Sequence, residues 1–130
     1  MSTPASGFNA LLGMSLVGED GDGYRVELVV EPHHLNGAGG VHGGVYLGLL
    51  DTAMARACRM GQAEDAYWPT LEMKVNFLRS ARGGRICARG YVVRRGRNTC
   101  YVEGELRCDR GRLLARGSAT LYSAREAISG

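Results

Sequence analysis

The sequence predicts an α+β fold in which a curved antiparallel sheet wraps around one long central helix. Three observations carry that reading. One apolar helical run spans residues 42–60. Alternating, period-two segments follow it, separated by short turns. Small residues (Ala88, Gly90, Gly104, Gly117 and Ala119) recur on the strand faces, where they let a sheet approach a helix closely. A single helix this apolar needs broad cover, and a curved sheet supplies it most simply. The 130 residues suit one domain over 1–130, with its core in 8–122.

Each element has its own signal. Residues 4–13 place Phe8, Leu11 and Leu12 at helical spacing, and a strand is expected at 14–17. Glu19-Asp20-Gly21-Asp22-Gly23 is a turn by composition. Residues 24–31 set Tyr24, Val26, Leu28 and Val30 against Arg25, Glu27 and Glu31, the pattern of a half-buried strand. Residues 32–40 form a glycine-rich loop. In the helical run, Val45, Leu47, Leu49, Leu50, Ala53, Met54, Ala57 and Cys58 go around the helix rather than along one stripe, which predicts burial on most sides. Gly61 is a fitting stop. Strands are expected at 70–78, 85–94, 98–108 and 113–122, with a turn at 109–112. Consecutive strands with short turns predict an antiparallel meander. Residues 128–130 are expected to fray.

Composition narrows the function classes. There is no apolar run of about 18 residues, so no membrane span is expected. The first residues lack the charged and apolar regions of a signal peptide, which predicts a cytoplasmic protein. Cys58, Cys87, Cys100 and Cys108 form no Cys-x-x-Cys pair and share no zinc-ligand spacing with the histidines. They read as reduced, buried, small apolar side chains. Residues 1–78 hold four basic and nine acidic groups, and residues 79–130 hold twelve and four. The second half could attract a polyanion, although most of its arginines individually suit solvated strand faces.

The candidate chemistry centres on Asp51, the one acid of the helical run. A carboxylate among apolar residues carries a desolvation cost that partners offset or chemistry uses. Gly39-Gly40-Val41-His42-Gly43-Gly44 leads into the first turn, whose N–H groups lack helical partners and stand at the positive end of the dipole. Glycines there let a ligand oxygen reach the backbone, a place for a developing oxyanion; equally, they can merely shape a tight loop. Eight residues separate Gly43 from Asp51, or about 12 Å along a helix. Reaction would require both near one carbon, within about 3–3.5 Å of it. One helix cannot provide that, whereas two helices of a twofold pair can. If both groups are catalytic, the active unit is therefore at least a dimer with two composite sites.

Asn36-Gly-Ala-Gly-Gly-Val-His42-Gly43-Gly44, followed by Leu50-Asp51-Thr52-Ala53, resembles the signature of the PaaI-type hotdog-fold acyl-CoA thioesterases. Leu71-Glu-Met-Lys-Val-Asn-Phe-Leu-Arg-Ser-Ala81, Val93-Arg-Arg-Gly96-Arg97 and the hairpin at Asp109-Arg110-Gly111 also fit its pattern. The resemblance covers residues 8–122. It implies a hotdog fold and hydrolysis of a small or medium acyl-CoA with no metal or cofactor.

The resemblance also implies roles for particular residues. Asp51 is the catalytic carboxylate, acting as general base on water or as nucleophile. Gly43 supplies the N–H that polarises the thioester carbonyl. Asn36 helps hold the water or thioester, His42 orders the helix entrance and bonds the substrate carbonyl, and Thr70 orients the attacking water. Three have a plainer alternative: a buried structural acid for Asp51, a turn-capping amide for Asn36, a helix-entrance hydrogen bonder for His42. His33 and His34 are given no role.

Arg79, Arg82, Arg95 and Arg97, at strand ends or turns, are candidates for the phosphates of CoA, which guanidinium groups bind bidentately. Leu47, Met54, Met73 and Phe77 suit either an acyl pocket or the core. The expected partners are the acyl-CoA and a second copy of the chain, as a homodimer or a dimer of dimers, with neither nucleic acid nor membrane; the segment before the domain is too short for a helix-turn-helix. The rival readings are a hotdog enoyl-CoA hydratase or dehydratase and a non-catalytic acyl-CoA-binding module.

Overall fold

The computed structural model describes residues 4–124; the fraying expected at 128–130 lies outside them. The elements are α1 (Gly7–Leu12), β1 (Ser15–Asp20), β2 (Gly23–Val29), a 3-10 turn (Pro32–His34), α2 (Gly43–Arg59), β3 (Thr70–Phe77), β4 (Arg85–Arg95), β5 (Thr99–Cys108) and β6 (Leu113–Tyr122). The β1 strand runs on past residue 17 and narrows the expected turn to Gly21-Asp22, where Gly21 adopts φ 63°. One six-stranded antiparallel sheet covers α2, as the period-two segments require.

The meander holds only for β4, β5 and β6. The strand order is β1-β2-β4-β5-β6-β3, so β3 lies at the far edge beside β6 rather than next to β4. Helix α2 causes this. It carries the chain across the sheet, and β4 then returns to pair with β2.

The helix meets the sheet over a row of glycines. Gly90 is opposite Gly104, and Gly104 is opposite Gly117, on the three central strands. A Cβ on Gly90 would stand 2.6 Å from the Ala53 carbonyl oxygen and 2.7 Å from the Met54 nitrogen. On Gly104 it would press on Leu50 and Met54 at 3.2 Å. The small strand residues therefore set the helix-to-sheet distance, as expected.

The burial of α2 differs from expectation. Val45, Tyr46, Leu49, Leu50, Ala53, Met54, Ala57 and Cys58 are buried, in two adjacent rows repeating every four residues. That is a broad stripe facing the sheet, not a belt. On the other side Leu47 is 37% exposed and Asp51 only half-buried, because just α1 crosses there. The crossing is at Gly48, where a Cβ would lie 3.2 Å from Leu12 and 3.3 Å from Phe8.

Both ends of α2 are fastened to the sheet side. The Tyr46 hydroxyl donates to the Arg79 carbonyl (3.0 Å) and accepts from the Ala81 N–H (3.0 Å). At the other end Arg95 donates to the Cys58 carbonyl (2.6 Å), with its guanidinium 5.2 Å from the Trp68 ring centroid. A cation on the last carbonyls suits the negative end of the dipole. His34 is buried: Nδ1 accepts from the Glu31 N–H (2.9 Å), and Nε2 donates to the Leu12 carbonyl (2.6 Å). It ties the loop before α2 to the end of α1.

The cysteines are all free. Cys58 and Cys100 are buried, whereas Cys87 and Cys108 are half-buried on the sheet, contrary to the burial expected of all four. Burial beside Cys100 pushes the Cys58 thiol up to about 12. Part of the charge asymmetry of the sequence is offset in space. Arg85 and Arg89 of β4 pair with Glu27, Asp20 and Asp22 of the first hairpin, and Arg107 pairs with Glu105. Arg89 holds the Asp22 carboxyl below its ordinary range.

Candidate active site

Two groups singled out by the sequence meet directly. The Thr70 hydroxyl donates to Asp51 Oδ1 at 2.8 Å, linking the first residue of β3 to the middle of α2. The rest of Asp51 faces away from the sheet into a cleft of about 250 Å³, lined by Asn9, Thr52, Ala55, Arg56 and Arg59. Thr52 donates to Asn9 Oδ1 at 3.3 Å, so α1 forms one wall. Asp51 is thus a half-open carboxylate held from one side, rather than one sealed inside the core.

The helix entrance is a second centre. His42 is the N-cap of α2, and its Nδ1 accepts from the Gly44 N–H at 2.8 Å. This is the helix-entrance role, and in the neutral ring it leaves the proton on Nε2. The Gly43 N–H has no acceptor among the described residues, as the first turn of a helix allows. Gly43 opens onto a cleft of about 360 Å³ with Val41, Tyr46, Phe77, Leu78, Arg79 and Ser80. A Cβ on Gly43 would lie 3.2 Å from the Phe77 ring. Asn36 Oδ1 accepts from the Ala38 and Gly40 N–H groups at 2.9 and 3.1 Å, the turn-capping alternative.

The four arginines do not converge within the chain. Exposed Arg79 borders the Gly43 cleft, and Arg82, also exposed, donates to the Ala38 carbonyl nearby (3.3 Å). Arg95 is the α2 clamp, and Arg97 lies in the turn after β4, at the opposite end of a helix about 25 Å long. Of the apolar candidates, Met54 is core, Met73 packs against the core, and Leu47 and Phe77 are exposed.

Sequence reasoning passed over Tyr46, Asn9 and Arg56. Arg56 had a signal, since charge is scarce in this helix and Arg56 stands five residues beyond Asp51. Tyr46 and Asn9 had none, because their partners are distant in sequence.

A family model described as the thioesterase superfamily matches residues 38–115, which include Gly43, Asp51 and Thr70. The chain belongs to the thioesterase superfamily. A provisionally named esterase of Archaeoglobus fulgidus is 29% identical over 107 residues, covering 81% of this chain and 68% of that protein. A provisionally named thioesterase from Ralstonia eutropha, related to phenylacetic acid degradation, is 32% identical, with 92% of each chain covered and a TM-score of 0.83. A Bacillus halodurans protein whose structure was solved with CoA shares the fold: TM-score 0.87, 24% identity, 95% of this chain and 82% of that one covered. The fold is the hotdog, and this hotdog thioesterase belongs with hydrolases.

Proposed function

We propose that this thioesterase is a PaaI-type enzyme that hydrolyses acyl-CoA as a homodimer with two composite sites. The observation that carries the reading is the two-ended role of β3. At its start Thr70 holds Asp51, and at its end Phe77 covers Gly43. This strand lies at the edge of the sheet, with Leu71 59% and Phe77 52% exposed. An unprotected edge strand is a template for pairing. Antiparallel pairing of two β3 strands about a twofold axis places the start of one beside the end of the other. Asp51 of one protomer then faces Gly43 of the partner subunit, which removes the 12 Å obstacle within one helix.

In the composite site the Gly43 N–H and the positive end of α2 stabilise the oxyanion. Asp51 takes a proton from water as the water oxygen attacks the thioester carbon. The tetrahedral intermediate collapses, the carbon–sulfur bond breaks, and the thiolate leaves and is protonated. Thr70 fixes Oδ1 and leaves Oδ2 for the water. His42, with Nδ1 engaged, has only the Nε2 proton to offer a carbonyl. That disfavours the hydratase reading, which needs a histidine base. Arg79 and Arg82, beside the Gly43 cleft, are the best placed of the four arginines for the phosphates of CoA. The fold accommodates CoA in the Bacillus halodurans protein.

The test is Asp51→Asn, assayed by thiol release from a panel of acyl-CoAs, alongside light scattering of the parent. Thiol release should fall by about 10²-fold or more, as when a general base is lost, with the melting temperature retained. Near-normal turnover in the variant, or an active parent that is strictly monomeric, overturns the reading. Loss of enoyl absorbance without thiol release establishes the hydratase instead.

A further inference from the structure

The Asp51 cleft is polar where an acyl pocket is ordinarily apolar. Ala55 is its one apolar lining residue, and Arg56 and Arg59 form its far wall. The two arginines differ. Arg59 donates to the Glu64 carbonyl at 3.2 Å. Arg56 is half-buried, and among the described residues it makes no ion pair within 4.0 Å and no side-chain hydrogen bond. Glu19 and Glu64 border the adjoining cleft that Arg56 also lines, yet neither pairs with it. On the opposite face of the sheet, by contrast, Arg25, Arg85, Arg89, Arg107 and Arg116 all have carboxylate partners. A half-buried guanidinium with five donors and no acceptor is a standing anion site.

We infer that Arg56 selects thioesters whose acyl group ends in a carboxylate. The inference rests on the thioesterase reading of Asp51. Distance identifies which anion of the substrate Arg56 meets. Five residues along the helix put Arg56 about 7.5 Å from Asp51 on the axis, and a helical side chain leans back toward the N-terminus, here toward Asp51. A carboxylate about four to six bonds beyond the reacting carbon spans that gap. With the pantetheine arm extended, the nearest phosphate of CoA stands about 15 Å from the sulfur, twice that gap. Within the cleft of about 250 Å³ there is room for a short dicarboxylic acyl chain or a carboxylated ring. Thr52, one turn before Arg56 on α2, and Asn9 of α1 offer further polar contacts.

The experiment compares glutaryl with pentanoyl thioesters, equal in length and different in terminal charge. Each is presented both on CoA and on N-acetylcysteamine, which has no phosphate. The readout is the ratio of kcat/KM for glutaryl to that for pentanoyl. In Arg56→Gln the ratio should fall about ten- to a hundredfold on both carriers, as loss of a hydrogen bond to a charged group implies. Arg56→Lys should recover part of it. A ratio unchanged within about twofold in Arg56→Gln overturns the inference. A penalty confined to the CoA carrier, equal for both acyl groups, assigns Arg56 to phosphate and also overturns it. Asp51→Asn, run alongside, keeps the two claims separate. If it abolishes hydrolysis while the Arg56→Gln ratio is unchanged, only the selectivity falls; if it turns over normally, the thioesterase reading falls first.

Discussion

Substituting Gly90 by alanine should damage stability and catalysis through one displacement. The new Cβ would stand 2.6 Å from the Ala53 carbonyl oxygen and 2.7 Å from the Met54 nitrogen, both backbone atoms of α2. Ordinary contact begins at 3.4 Å, so helix and strand must part by about 0.8 Å. Overpacking of this kind costs about 1–3 kcal/mol. For a chain of 130 residues each kcal/mol is worth about 4 °C, so the melting temperature should drop by about 4–12 °C. Asp51 lies two residues before Ala53 and moves with it. Its 2.8 Å bond to Thr70 would lengthen to about 3.6 Å, beyond a hydrogen bond. A misplacement near 1 Å is worth about 10²-fold in rate. Gly83→Ala is the control, since a Cβ there meets nothing within 4 Å. Circular dichroism melts and thiol-release kinetics on both variants make the comparison. If Gly90→Ala melts within about 2 °C of the parent and turns over normally, the helix is not seated by that row and the reasoning fails.

Two further expectations follow from the ends of α2. Arg95→Ala removes a bond to the Cys58 carbonyl and the stacking on Trp68, and should lower stability by about 1–3 kcal/mol in urea unfolding. KM for acyl-CoA should stay at the parent value; a raised KM with unchanged stability would make Arg95 a CoA ligand after all. Because burial raises the Cys58 thiol from 9.0 to about 12, the native protein holds that proton through pH 9–12 while the unfolded chain releases it. Stability should therefore fall as pH rises through that window, and Cys58 should resist alkylation at pH 8, as mass mapping can show. Rapid native-state alkylation of Cys58 would contradict its burial.

Much of this was legible in the chain. The limits of β3 to β6 follow from period two, and the stop after α2 from Gly61, which adopts φ 72°. Alternation assigns faces but not neighbours, so it could not place β3 beyond β6; the crossover by α2 decided that. Apolar content around α2 suggested burial on most sides, yet exposed Leu47 shows that hydrophobicity does not name what covers a face. Asp51, Gly43 and Thr70 are legible as candidates because the motif that carries the resemblance is local, and Thr70 does meet Asp51 in space. Nothing local reveals that Arg95, a candidate for phosphate, ends β4 beside Cys58 and Trp68. The basic second half suggests a polyanion partner, and what composition does not reveal is that pairing of β2 with β4 sets two of its arginines, Arg85 and Arg89, against the acidic first hairpin.

The unequal attachment of the two helices grades the molecule's resistance to opening. The longer one is fastened by Tyr46 and Arg95 and seated on the sheet, so its amide protons should exchange only through global unfolding. The N-terminal helix buries no residue and leaves Phe8 61% and Leu11 80% exposed. Its amides should exchange before those of the longer helix. Each such excursion bares the wall beside Asp51 while the scaffold beneath it stays intact.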